Sequence, residues 1–135
     1  MIRPVKTIEF IGERKMAGYL FLYREGDKEK FQPSPEEMQS YMQSWMDWIG
    51  QAMEAGWMTV PGDALKEEGR VLHADKSVTD GPFAESKEVI GGYSIVEAEN
   101  FDQAVQYAHG CPIFAEGGTV EVRELADVKI EQPQS

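Results

Sequence analysis

Residues Ala17 to Tyr23 (AGYLFLY) form an uncharged, aromatic-rich run of strand length that ends in the charged cluster Arg24 to Glu29. Successive side chains of a strand point to opposite faces, so Tyr19, Phe21 and Tyr23 share one side while Leu20 and Leu22 share the other. A strand that is apolar on both sides belongs in the middle of a sheet and needs cover above and below it. This requirement narrows the fold more than any other feature of the chain.

The cover for one side follows directly. Ser34, Pro35, Glu36 and Glu37 combine a Ser cap, Pro at the first helical position and Glu at the third, which is a capping box. Apolar residues then recur at Met38, Tyr41, Met42, Trp45, Trp48, Ile49, Ala52 and Met53, spaced by three and four, and Gly56 closes the helix. Trp57 to Val60 reads as a second strand, stopped by Pro61 and Gly62. Arg70 to His73 and Ser77 to Thr79 read as a small hairpin turning at Ala74 to Lys76, and Asp80, Gly81, Pro82 and Phe83 as a turn. Gly91 and Gly92 lead into a third main strand, Tyr93 to Ala98; they lack a phosphate-loop context and mark a bulge or a close backbone approach. Asn100 caps a second helix whose apolar face is Phe101, Ala104, Val105 and Ala108, ended by Gly110 and Pro112, and Thr119 to Leu125 is the last strand.

The order strand, helix, strand, hairpin, strand, helix, strand predicts an α+β fold: a ferredoxin-like split βαβ antiparallel sheet with two helices on one face. Both main strands are apolar on both sides, Tyr19, Phe21 and Tyr23 against Leu20 and Leu22, and Tyr93 and Ile95 against Val96 and Ala98. The helices therefore leave a bare aromatic face that is expected to find a partner. A homodimer with its sheets packed face to face around a barrel-like cavity is therefore expected. Residues 1–15 are read as an N-terminal arm, 16–125 as the domain and 126–135 as a C-terminal tail.

Composition limits the function. The 135 residues are 41% apolar, enough for a core, with 13 Lys plus Arg against 24 Asp plus Glu for a net charge of −11. That sign repels phosphate backbones and anionic lipid, so neither nucleic acid nor membrane is expected as a partner. A single Cys excludes an intramolecular disulfide and fits a reducing cytoplasm. No cofactor is indicated. His109 and Cys111 fall short of a metal set, so no metal is expected either.

At residues 78–92 (VTDGPFAESKEVIGG) the chain resembles the YCII-related family, in its DGPF branch, as do the strand at Gly18 to Tyr23, the SPEEM helix start with Trp45 and Trp48, and the GGTVEVREL ending. The resemblance implies a dimeric α+β barrel. It also implies either small-molecule chemistry or a non-catalytic regulatory role beside sigma-factor-type transcription control. Relatives of the YCII type use a His and Asp pair, with the His on the first helix; residues 36–55 here contain no His, and Ser44 or Trp45 stands near its place.

Asp80 is the candidate catalytic group, a carboxylate in a Gly and Pro turn that accepts a proton at the edge of a cavity; an Asx turn is the plainer reading of the same residue. Glu85 is a weaker second candidate within a charge run. Tyr19, Phe21, Trp45, Trp48, Phe83 and Tyr93 are the candidates for lining an apolar pocket, against the plainer reading that they are core. His73 with Asp75 suggests a base pair on paper, and a solvent-facing hairpin histidine is the simpler expectation.

Overall fold

The structure is a computed structural model in which residues 16–81 and 89–127 are described. Its elements in chain order are β1 (Ala17–Arg24), α1 (Pro35–Ala55), β2 (Met58–Val60), β3 (Gly69–Leu72), β4 (Val78–Gly81), β5 (Ile90–Ala98), α2 (Phe101–Ala108), a 3-10 turn at Pro112–Glu116 and β6 (Thr119–Glu124). The main sheet runs β2-β5-β1-β6 with every pair antiparallel, while β3 and β4 form a separate hairpin. This is the expected split βαβ plan.

Parity decides the core. Tyr19, Phe21 and Tyr23 of β1 and Ser94, Val96 and Ala98 of β5 are buried, and Ala52 of α1 with Ala104 and Ala108 of α2 complete the same cluster. Both helices therefore cover one face of the sheet. Leu20 pairs across from Ile95 and Leu22 from Tyr93 on the opposite face, where all four are only half-buried.

Both helices start as their caps dictate. Ser34 Oγ accepts from the Glu37 amide while the Glu37 carboxylate accepts from the Ser34 amide, and Gly56 ends α1 in the left-handed region at φ 91°. Asn100 Oδ1 accepts from the Gln103 amide and opens α2. The inward stripe of α1 is narrower than expected: Tyr41, Trp45, Trp48, Ile49 and Ala52 turn in, but Met38, Met42 and Met53 are exposed. Phe101 and Val105 of α2 are exposed as well. One sheet face offers each helix a single line of contact, so residues on the flanks of an apolar arc stay outside.

Three other readings need correction. Asp80 and Gly81 do not begin a turn; they extend β4, with Arg70 opposite Asp80 and Gly69 opposite Gly81. Ladder pairing to β3 overrides the glycine there, and Pro82 and Phe83 lie outside the described residues. The third main strand begins at Ile90 rather than Tyr93, and the register shifts between Tyr23 and Arg24 of β1, so Gly91 sits in a bulge. Pro112–Glu116, read as a simple end to the second helix, forms a 3-10 turn that carries Glu116 back toward α1.

Candidate functional site

A cavity of about 570 Å³ lies between α1 and the end of the sheet. Five pieces of chain enclose it. From α1 come Tyr41, Met42, Trp45, Met46, Ile49 and Gly50, whose spacing of three, four and one places them along one flank of the helix. The C-terminal end of β1 gives Tyr23 and Glu25, the bulged start of β5 gives Gly91, Gly92 and Tyr93, and the 3-10 turn gives Ile113 and Glu116. The segment Pro61 to Ala64 closes the remaining side.

That segment is fixed by backbone contacts. Ala64 bridges Gly92, the Leu65 amide donates to the Gly91 carbonyl at 2.8 Å, and the Tyr93 amide donates to the Asp63 carbonyl at 3.3 Å. Gly62 holds φ 75°, and a Cβ there would stand 1.8 Å from the Tyr93 carbonyl oxygen, so only glycine lets the loop lie so close to β5.

The cavity's polar groups come in pairs. Tyr41 Oη donates to the Glu116 carboxylate and Tyr93 Oη to Asp63 Oδ2 at 3.1 Å. Tyr23 Oη donates to the fully buried Ser94 Oγ at 2.7 Å, which in turn donates to the Pro61 carbonyl at 2.7 Å. Burial, reinforced by Glu116, raises the Tyr41 phenol, and burial raises that of Tyr23. The Tyr93 phenol is raised mainly by its hydrogen bond to Asp63 and then by that carboxylate's charge. All three are therefore protonated donors at neutral pH. Glu25 differs: among the described residues its Oε1 is buried without a hydrogen-bond partner, and Lys28 stands 3.6 Å from it.

Behind the cavity wall runs a chain of rings. Tyr23 meets Trp45 edge to face at 4.8 Å, Trp45 meets Trp48 at 5.9 Å, Trp48 meets Trp57 at 5.9 Å, and Trp57 stacks on Tyr107 at 4.4 Å. These contacts fix the orientation of the two rings that reach the cavity.

Of the residues singled out from sequence, Trp45 and Tyr93 line the cavity. Trp48 packs one layer behind, Phe21 is wholly buried, and Tyr19 packs against Phe101 at 5.1 Å with its phenol raised mainly by burial. Phe83 and Glu85 lie outside the described residues. The cavity is not edged by Asp80 among the described residues: that side chain projects from the hairpin, 91% exposed, with Arg70 Nη1 at 3.6 Å. Its exposure follows from its place on β4, which pairs with β3 and not with the main sheet. His73 Nε2 contacts Thr79 Oγ1 at 2.8 Å, while Asp75 accepts from the amide and hydroxyl of Ser77, so the two do not form a pair. Burial pushes the Cys111 thiol up to about 12, and no cluster of three His, Cys, Asp or Glu among the described residues is arranged to hold a metal ion.

The residues that sequence reasoning missed are Tyr41, Glu25, Asp63 and Glu116. Tyr41 was within reach, one turn before Trp45 on the same stripe. Asp63 and Glu116 meet the site only through loop closure, which leaves no periodic signal.

Comparison with known proteins gives one family. The YCII-related domain matches residues 19–129, and no curated protein matches the chain. Among solved structures, the 5-chloro-2-hydroxyhydroquinone dehydrochlorinase of Burkholderia phenoliruptrix AC1100, in complex with 2,5-dihydroxybenzoquinone, is similar at 19% identity over 79% of this chain and 93% of that chain, with a TM-score of 0.37. No helix among the described residues is long and apolar enough to cross a membrane.

Proposed function

We propose, from the premise that this chain belongs to the YCII-related domain family, that it binds a small, flat organic molecule in the cavity between α1 and the sheet end. The single observation that carries this reading is the cavity itself. Its 570 Å³ falls within the ~300–1,000 Å³ range of small-molecule sites, and apolar side chains line most of it, with a few fixed polar groups converging on the space. Tyr41 Oη, its own proton given to Glu116, accepts from a ligand's O–H or N–H, while Trp45 and Ile49 supply the apolar wall. A buried, unpaired Cys111 fits a cytoplasmic setting. The half-buried face carrying Leu20, Leu22, Tyr93 and Ile95 supports a second part of the proposal, that two protomers pair through it.

Gly50 offers the test. It lines the cavity, nothing stands within 4 Å of where its Cβ would be, and it lies within a helix that tolerates a side chain there. Calorimetric titration with 4-ethylphenol is expected to give saturable binding to the wild type and none to Gly50→Phe, with both proteins unfolding at similar temperature. Equal binding by both would place any ligand elsewhere.

A further inference from the structure

The cavity's charge is one-sided. Glu25, Asp63 and Glu116 line it, and no Lys, Arg or His does so among the described residues. Two of the three carboxylates already receive a tyrosine hydroxyl, but Glu25 Oε1 is buried with no hydrogen bond reaching it among the described residues. Lys28 does not fill that role: it stands at 3.6 Å, beyond hydrogen-bond distance, and also pairs with Glu67 outside the cavity. Gly91 lets Glu25 stay where it is, since a Cβ there would stand 2.6 Å from Oε2. A buried carboxylate oxygen lacking a donor is costly to hold unless something supplies one.

The walls point the same way. Tyr23, Tyr41 and Trp45 present aromatic rings to a cleft that carries negative charge. The negative face of an aromatic ring attracts cations, as do the carboxylates. An anionic ligand would meet three carboxylates, of which only Glu25 has a cation beside it, Lys28 at 3.6 Å, inside a protein of net charge −11.

From these observations we infer that the occupant is an organic cation, a protonated aryl-alkylamine whose ring lies against Trp45 and whose ammonium group donates to Glu25. This inference rests on the proposed small-molecule site and names the class of its ligand.

The experiment compares three probes with the same phenol ring and different charge: tyramine, 4-ethylphenol and 3-(4-hydroxyphenyl)propanoate, titrated calorimetrically into the full chain near neutral pH. Tyramine is expected to bind about tenfold or more tighter than 4-ethylphenol, with the propanoate weakest. Glu25→Gln should bring tyramine to within about twofold of 4-ethylphenol. Should Glu25→Gln fail to fold, Asp63→Asn, whose amide oxygen still accepts from Tyr93, is expected to narrow the same gap. If 4-ethylphenol binds but tyramine is no tighter, or the propanoate is tightest, the cationic ligand is wrong and the small-molecule site stands. If none of the three binds, both fail.

Discussion

Tyr23 and Ser94 join the two central strands of the sheet through a buried hydrogen bond of 2.7 Å, and Ser94 passes its own proton on to the Pro61 carbonyl. The chain of donors ties the core to the loop that closes the cavity. It also makes the two ends unequal. Tyr23→Phe removes a donor but leaves Ser94 bonded to Pro61, a loss of about 1 kcal/mol. Ser94→Ala strands a buried phenol and a carbonyl together and should cost about 2–3 kcal/mol. Urea unfolding measures the order, and a Tyr23→Phe loss equal to or larger than the Ser94→Ala loss would contradict it.

The tyrosines make alkaline pH a second probe. Tyr19, Tyr23, Tyr41 and Tyr93 are all raised above the usual phenol value, three of them beside carboxylates. A group whose folded value is raised contributes stability that is complete below its unfolded value and lost as pH rises through the folded one. Stability is therefore expected to hold up to about pH 10 and to fall above it, with native phenolate absorbance appearing later than in urea-unfolded protein. Coincident titration of the native and unfolded protein would contradict this.

Much of the fold was legible because it rests on local chemistry. The capping box at Ser34 and the Asn100 cap fixed both helix starts, whereas the alternation of Tyr19, Leu20, Phe21 and Leu22 shows two apolar faces and only the assembled sheet decides which of them is core. Less of the site was. Trp45 and Tyr93 were found as aromatics on regular elements, whereas Asp63 and Glu116 reach the cavity from a loop and a 3-10 turn whose course depends on tertiary closure. Asp80 drew attention by its Gly and Pro neighbours, yet cross-strand pairing with Arg70 governs its position. Local sequence identifies turn formers, and only the assembled sheet decides whether they turn.

Gly50 also bears on stability. Within the interior of α1 it forgoes helix propensity, and Ala in its place meets no neighbour. Gly50→Ala is expected to raise the stability of the native state by about 0.5–1 kcal/mol. A destabilised variant would mean that the cavity flank of α1 is packed more closely than the open space at Gly50 indicates.

Pairing through the open sheet face predicts a particle of twice 15.2 kDa in light scattering. Leu22→Glu, placed at the centre of that face opposite Tyr93, should yield monomers that retain the wild-type circular dichroism. A monomeric wild type, or a dimer that Leu22→Glu leaves intact, would remove this face from the account.

The occupied cavity is the central claim, and methionine methyl resonances test it most directly. Met42 and Met46 line the cavity, whereas Met38 and Met53, also exposed on α1, do not. Titration of methyl-labelled protein with 4-ethylphenol should shift the Met42 and Met46 signals to saturation and leave those of Met38 and Met53 in place. Shifts confined to Met38 and Met53, or no shift at all, would contradict a binding site between α1 and the sheet.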